Sequence, residues 1–424
     1  MILMLLITMA FCIGCFVNFK KTVLLWNVCS IVFNVGTCLK YTSPAITVTL
    51  AVNAFIVIFY IIKNRGLQIK TLPLRGAFGF IIFSYVLTFI FSPLKSNINT
   101  LLSLVINECL SLYIFYCYIE TLKDLRYAFK VGFIIVSISV FYAIFTLAIQ
   151  SNPVIAWESS LSGDLMKVVV ADGTARGMKL QSFFASPTDF NIYLFLFVAF
   201  VAFAYDCKLF KLSVNNLVFI LITCIGIAFL SKNRAGMVAP IILYLVMSIH
   251  SKVIKKVFLI GGLIIGVLLL SGIHFTYLAS IFSDKAQESV GGSNVEMREQ
   301  QFNIVISWFL NSPLVGLGLD AVSYVKERDY EIYGGESIWF RLLLERGLLG
   351  LLSYIVFLVS SYRLITNSKC KRYYMYACIY LLTINTLTLN SVGIYYPYYL
   401  SFLILFKAQK LFKGYEVCLL NHRS

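Results

Sequence analysis

The chain alternates long apolar runs with short polar interruptions, and the runs have the length that crosses a bilayer. A hydrocarbon core of about 30 Å takes roughly 20 residues of helix. On that measure helices are predicted near 2–17, 22–39, 45–62, 76–93, 101–119, 129–149, 190–205, 214–230, 236–249, 257–273, 338–361, 373–389 and 392–406. The fold class is therefore an all-α integral membrane protein with 12–13 transmembrane helices, a single polytopic domain over residues 1–424. Two connections are long and polar where the others are short, residues 150–189 and residues 274–337. Residues 1–17 carry no basic residue, so they read as a retained span and not as a cleaved signal peptide.

Composition agrees with the pattern and removes whole classes of function. The chain is 60% hydrophobic and 13% charged, whereas soluble proteins are about half apolar and a quarter charged. An ordinary cytoplasmic enzyme, a nucleic-acid factor and a secreted disulfide module are all excluded. The net charge of +16 acquires its meaning from where it sits. Alternating the sides puts Lys20/Lys21, Lys63 to Arg75, Lys123 to Lys130, Lys208/Lys211, Lys252 to Lys256, Arg363 to Arg372 and the tail after Lys407 together. Those connections hold 22 of the 35 basic residues, against only Glu120, Asp124, Asp206 and Glu416. By the positive-inside bias they are cytoplasmic, which puts both long loops outside and the C-terminus inside. No nucleic-acid partner is needed to explain the charge; the surrounding partner is membrane lipid.

All eleven cysteines fall in predicted spans or on the basic side, so no disulfide is expected in the outer loops. No glycine-rich nucleotide loop ending in Gly-Lys-Ser/Thr occurs, nor any Asp-x-Asp pair in a loop. The histidines are His250, His274 and His422 only, which leaves almost no ligand set for a metal. Neither a metal nor another cofactor is expected. Glu327, Asp329 and Glu331 alternate in the second long loop and read better as a solvated edge than as a divalent-ion site. What remains on the outer side is a set of arginines with one acid. Arg176 lies in the first long loop, Arg234 in the short turn Ser-Lys-Asn-Arg-Ala-Gly, and Arg298 in the second long loop; Glu336 and Ser337 open the helix that follows. A guanidinium is permanently charged and forks onto phosphate oxygens, so arginines converging at headgroup level suit a lipid-linked phosphate. Each has a plainer reading too: a snorkelling helix end for Arg234, a surface position for Arg176, local neutralisation by Glu296 and Glu299 for Arg298, and a favourable helix-start charge for Glu336. Arg341 and Glu345 stand i, i+4 on the same helix and are expected to pair; with Arg346 they place its start above the hydrocarbon core or in a watery cavity.

From Arg298 to Gly350 the chain resembles the O-antigen polymerase and ligase superfamily. The residues that carry the resemblance are Arg298, Trp308, Asn311, Pro313, Leu314, Gly316 and Gly318, then Glu336, Ser337, Glu345, Gly347 and Gly350. Upstream, Arg176 ahead of the Phe184–Phe190 stretch and the turn around Arg234 are similar to the family as well, so the likeness covers about 170–361. Lipid A ligases of this superfamily carry a histidine where this chain has Glu336, which favours a polymerase.

The resemblance implies a GT-C-like membrane glycosyltransferase in a bacterial inner membrane, acting on undecaprenyl-diphosphate-linked glycan. It implies Glu336 as general base, Arg298 and Arg234 on the diphosphate, Arg176 on donor or acceptor phosphate, and a chain-length regulator and the repeat-unit flippase as partners. The main rival is a lipid-linked oligosaccharide flippase or other secondary transporter, which needs no 64-residue outer loop and builds its site from intramembrane charges. The predicted spans carry almost no charge, Glu108 near one helix middle being the exception, and the two halves show no internal repeat. A structural partner of an envelope complex is the third reading; it leaves the arginines unexplained.

Overall fold

The structure is a computed structural model, and it describes residues 2–33, 37–40, 45–66, 72–162, 180–184, 187–206, 208–231, 295–332, 337–366, 400–401 and 403–411, with isolated positions 255, 259, 260 and 262. The described helices are α1 (Ile2–Cys29), α2 (Val48–Asn64), α3 (Arg75–Phe91), α4 (Ile98–Tyr118), α5 (Leu122–Ile149), α6 (Pro153–Ser162), α7 (Pro187–Asp206), α8 (Val214–Leu230), α9 (Val295–Phe309), α10 (Ala321–Lys326) and α11 (Ile338–Thr366). A further helical stretch lies within 400–411. Among the described residues five helical stretches are long and apolar enough to cross a membrane, beginning at Ile2, Ile98, Leu122, Pro187 and Ile338, and α2, α3 and part of α8 are shorter apolar helices. The fold is all-α and membrane-spanning. Predicted spans 236–249 and 373–389, and most of 257–273 and 392–406, lie outside the described residues.

α1 is a hairpin of two helical arms. Asn18 leaves helical geometry (φ −153, ψ 86), and its Oδ1 accepts from the Lys21 N–H at 3.0 Å, capping the returning arm. Phe11 and Trp26 have ring centres 4.5 Å apart, whereas 15 residues of continuous helix would separate them by about 22 Å. The turn predicted at Lys20/Lys21 is thus present. The second arm ends earlier than 39: residues Cys38–Lys40 and Ile46–Thr47 pair as a small antiparallel hairpin. An apolar run does not by itself distinguish strand from helix, and this one closes a tight connection into α2. Cys38, expected in a span, is a buried strand residue.

The basic connections meet at one end of the bundle. Lys20 Nζ lies 2.7 Å from Glu120 and 2.9 Å from Asp124. Lys63 stands over the Phe19 ring, Arg126 Nε donates to the Leu209 carbonyl, and Lys407 stands over Tyr116. At the opposite end Asn152 donates to the Ser182 carbonyl, Tyr142 stacks on Phe183, and Leu94 N–H donates to the Leu317 carbonyl. α7 is buried along every residue from Phe190 to Ala204, the signature of a helix apolar all round.

Inside the N-terminal helices runs a chain of asparagines. Trp26 Nε1 donates to Asn53 Oδ1 at 2.7 Å, Asn53 Nδ2 to Asn107 Oδ1 at 2.9 Å, and Asn107 Nδ2 to Ser103 Oγ at 3.0 Å. Ser111 Oγ reaches both Asn53 and Asn27. Water is not at hand in such an interior, so each group must be satisfied by protein, and the bonds tie α1, α2 and α4 in one register. Residues Ser103–Leu110 of α4 are π-helical.

Candidate functional site

The second long loop folds. α9, α10 and a short turn at Tyr330–Ile332 enclose a small core of Val305, Leu317, Ala321, Val322, Val325, Ile332 and Leu344, separate from the main apolar core. Trp308 borders this core and donates its indole N–H to Asp329. That gives one of the three alternating acids a structural partner.

Directly beneath this unit α11 breaks. Gly347 has φ 60 and ψ −153 inside the helix, a region open essentially to glycine alone. A broken helix exposes backbone groups that must find partners, and the Pro313–Gly318 loop supplies them. Leu317 N–H donates to the Leu344 carbonyl at 2.9 Å and Gly318 N–H to the Glu345 carbonyl at 3.1 Å. In return Leu348 and Leu349 N–H donate to the carbonyls of Pro313 and Leu314. Gly316, at φ 72, has to be a glycine also because a Cβ there would overlap the backbone of Glu345 and Arg346. On its far side the loop is stitched to the end of α3 and the segment after it, through Thr88 Oγ1 to the Val315 carbonyl at 2.8 Å and Leu319 N–H to Ser96 Oγ at 2.9 Å.

Charged side chains gather at this junction. Arg341 places Nε and Nη2 on Glu345 Oε1 at 3.1 and 2.8 Å, and Nη2 also lies 3.6 Å from Asp320 Oδ1. Glu345 is buried, Arg341 partly so, and Asp320 is held at φ 72. The expected i, i+4 pair is therefore formed, with Asp320 as an addition that sequence spacing does not show. Arg346 is fully buried, its guanidinium 4.1 Å from the centre of the Tyr85 ring, an attraction that strengthens away from water.

Of the residues predicted to act, Arg298 is described. It lies half-buried on α9, one helical turn before Phe302, whose ring is 6.0 Å from Phe340, the neighbour of Arg341. The face of α9 that carries Arg298, Phe302 and the buried Val305 is thus turned toward the charged start of α11. Arg176, Arg234 and Glu336 lie outside the described residues; Ser337, next to Glu336, is buried at the start of α11.

Comparison with protein families gives a match over residues 219–355 to the family described as O-antigen ligase. Over this segment the chain is similar to the O-antigen polymerase and ligase superfamily. The matched segment contains Arg234, Arg298 and Glu336, and the folded loop, the break at Gly347 and the Arg341 cluster all lie within it. Arg176 lies outside it. A comparison with curated proteins gave no match. Within the matched segment the Asn-x-Pro-Leu-x-Gly-x-Gly and Glu-x-Gly-x-x-Gly stretches are two halves of one device: the first loop repairs the helix that the second interrupts.

Proposed function

We propose that this chain polymerises undecaprenyl-diphosphate-linked oligosaccharide repeat units on the outer face of a bacterial cytoplasmic membrane, giving O-antigen or a related surface polysaccharide. The observation that carries the reading is the match of residues 219–355 to the O-antigen ligase family. The geometry supports it: the matched segment brings the helix bearing Arg298 against the charged, broken start of a membrane span. The clustering of basic turns at the opposite end supports the orientation, with the long loops periplasmic and the C-terminus cytoplasmic.

In the proposed reaction a sugar hydroxyl of one repeat unit attacks the anomeric carbon of the chain carried on another. The new glycosidic C–O bond forms, the anomeric C–O bond to the diphosphate breaks, and undecaprenyl diphosphate leaves. Glu336 takes the hydroxyl proton. Arg298 and Arg234 neutralise charge developing on the leaving diphosphate, and Arg176 holds donor or acceptor phosphate. Preorganised cations at a dry interface supply this stabilisation through the protein's own residues.

A second reading is ligation of the finished glycan to an acceptor lipid, favoured by the description of the matched family; Glu336 in place of the ligases' histidine favours polymerisation. The test is surface-polysaccharide banding in a null strain complemented with wild type, Arg298→Ala, Arg234→Ala or Glu336→Gln at matched membrane levels. A polymerase gives a ladder with wild type and a single capped repeat with the variants. Full ladders from every variant contradict the site; loss of even the single repeat, with lipid-linked units held on the inner face, indicates a flippase.

A further inference from the structure

A groove of about 280 Å³ lies between α5, α7 and the start of α8. Four phenylalanines line it, Phe129 and Phe133 from α5, Phe197 from α7 and Phe210 from the α7–α8 connection. Their rings brace one another: Phe129 and Phe210 have centres 5.8 Å apart, and Phe133 and Phe197 6.2 Å. The buried Val201 and Ala204 of α7, smaller than the rings around them, leave the space open. Phe133 is 47% exposed, beside the exposed Ile134, so the groove opens on an apolar flank of α5 that faces lipid. A void of this size forfeits dispersion contacts unless something fills it, and on such a flank the filler is hydrocarbon.

The groove is charged at one end. Among the described residues that line it, Lys130 is the one charged side chain. Helical spacing puts Lys123, Arg126 and Lys130 on the face of α5 that also carries Phe133, and all three are exposed. Arg126 Nε donates to the Leu209 carbonyl at 3.1 Å and so holds the α7–α8 connection against this face. That connection brings the exposed Lys208 and Lys211, the latter between Phe210 and Leu212, which both line the groove. Residues 122–130 and 206–214 thus carry five bases against two acids, Asp124 and Asp206. Asp124 is engaged by Lys20 at 2.9 Å and by the Thr121 cap. Membrane orientation asks only that basic residues lie on one side. It does not ask that they gather at the end of an apolar groove.

We propose that this groove is a binding site for an anionic phospholipid of the leaflet at the basic end. One acyl chain lies along α7 from Phe197 to Ala204, about 10 Å of helix, and the headgroup phosphate sits among Arg126, Lys130 and Lys211. Both halves of the ligand are needed: a free phosphate would meet the cations and leave the groove unfilled, and a zwitterionic lipid would fill the groove with no net charge for the cations. Each Lys or Arg near the surface favours an anionic headgroup about fivefold. The proposal is independent of the polymerase reading, and its test contains no glycan.

The test is native mass spectrometry of the purified full chain released from detergent, with thermal unfolding alongside. The chain is titrated with phosphatidylglycerol, with phosphatidylcholine of the same acyl chains, and with inorganic phosphate. Wild type is expected to bind phosphatidylglycerol at least about tenfold more tightly than phosphatidylcholine and to melt higher with it, while phosphate changes neither. Lys130→Gln/Lys211→Gln is expected to weaken phosphatidylglycerol about 25-fold, about fivefold for each charge removed, and to leave phosphatidylcholine within about twofold. Ala204→Leu fills the groove from α7 and Ile220→Trp from α8; whichever melts like lipid-free wild type is expected to bind both lipids more weakly. Equal affinity for the two lipids, an unchanged preference in the charge variant, or no loss from a folded plug variant overturns the proposal. So does phosphate that stabilises as much as phosphatidylglycerol, which would leave an anion site without an acyl chain. Undecaprenyl phosphate that displaces phosphatidylglycerol at a tenth of its concentration would also overturn it, and would assign the groove to the carrier.

Discussion

Replacing Gly347 by alanine tests whether the break in α11 is built into the fold. At φ 60 and ψ −153 a residue with a Cβ stores about 1–3 kcal/mol of backbone strain. The added carbon would stand 2.6 Å from the Pro313 carbonyl oxygen and 2.7 Å from Gly316 N and the Leu314 carbonyl carbon. These are backbone atoms held by the bonds from Leu348 and Leu349, so relief of the overlap breaks one or both. Each bond lost adds about 0.5–1.5 kcal/mol, and the expected destabilisation is about 1.5–6 kcal/mol, a large share of the margin of a typical fold. The assay is thermal unfolding of the purified protein in detergent, alongside its level in membranes. Gly79→Ala in α3 is the control, because Gly79 is exposed and nothing lies within 4 Å of an added Cβ. It should be neutral or stabilising by about 0.5–1 kcal/mol. If Gly347→Ala unfolds within about 1 kcal/mol of wild type, the helix does not depend on the break and the account of the Pro313–Gly318 loop is wrong.

Three further outcomes are expected. Asn53→Leu removes the acceptor of the Trp26 and Ser111 donors and the donor to Asn107, and should cost about 2–4 kcal/mol in detergent unfolding; a neutral effect would mean the asparagine chain carries no register. Trp308→Phe loses the indole bond to Asp329 at a cost of about 1–2 kcal/mol, read as faster proteolysis within residues 295–332 and refuted by unchanged cleavage. In a cysteine-free background, Lys95→Cys should react with an impermeant maleimide in intact cells, and Lys21→Cys and Arg65→Cys only after permeabilisation; the opposite pattern would invert the membrane orientation.

The turn at Lys20/Lys21 was legible because Asn18 and two lysines interrupt an apolar run, and the Arg341–Glu345 pair because i, i+4 spacing faces two charges on one helix. That the basic connections share one end of the bundle was legible from lysine and arginine placement alone, and the contacts of Lys20, Lys63, Arg126 and Lys407 gather them there. The hairpin at residues 38–47 was not, since hydropathy scores an apolar strand and an apolar helix alike. Nor was the break in α11: a glycine among leucines leaves hydropathy unchanged, and only the loop returning from Pro313 shows what its backbone is for. The motif glycines and prolines, read first as marks of resemblance, prove to be the joinery of the site. Glu108 was legible as an intramembrane acid, and the structure buries it on the π-helical stretch of α4.

The most direct measurement mixes the purified full-length chain with isolated undecaprenyl-diphosphate-linked repeat units, with no lipid A-core acceptor present, and follows glycan length and released carrier. The account predicts chains of two or more repeats on one carrier, with one undecaprenyl diphosphate freed for each new linkage. Repeat units that stay single in this mixture, yet are joined to lipid A-core when it is added, would contradict polymerisation and establish a ligase.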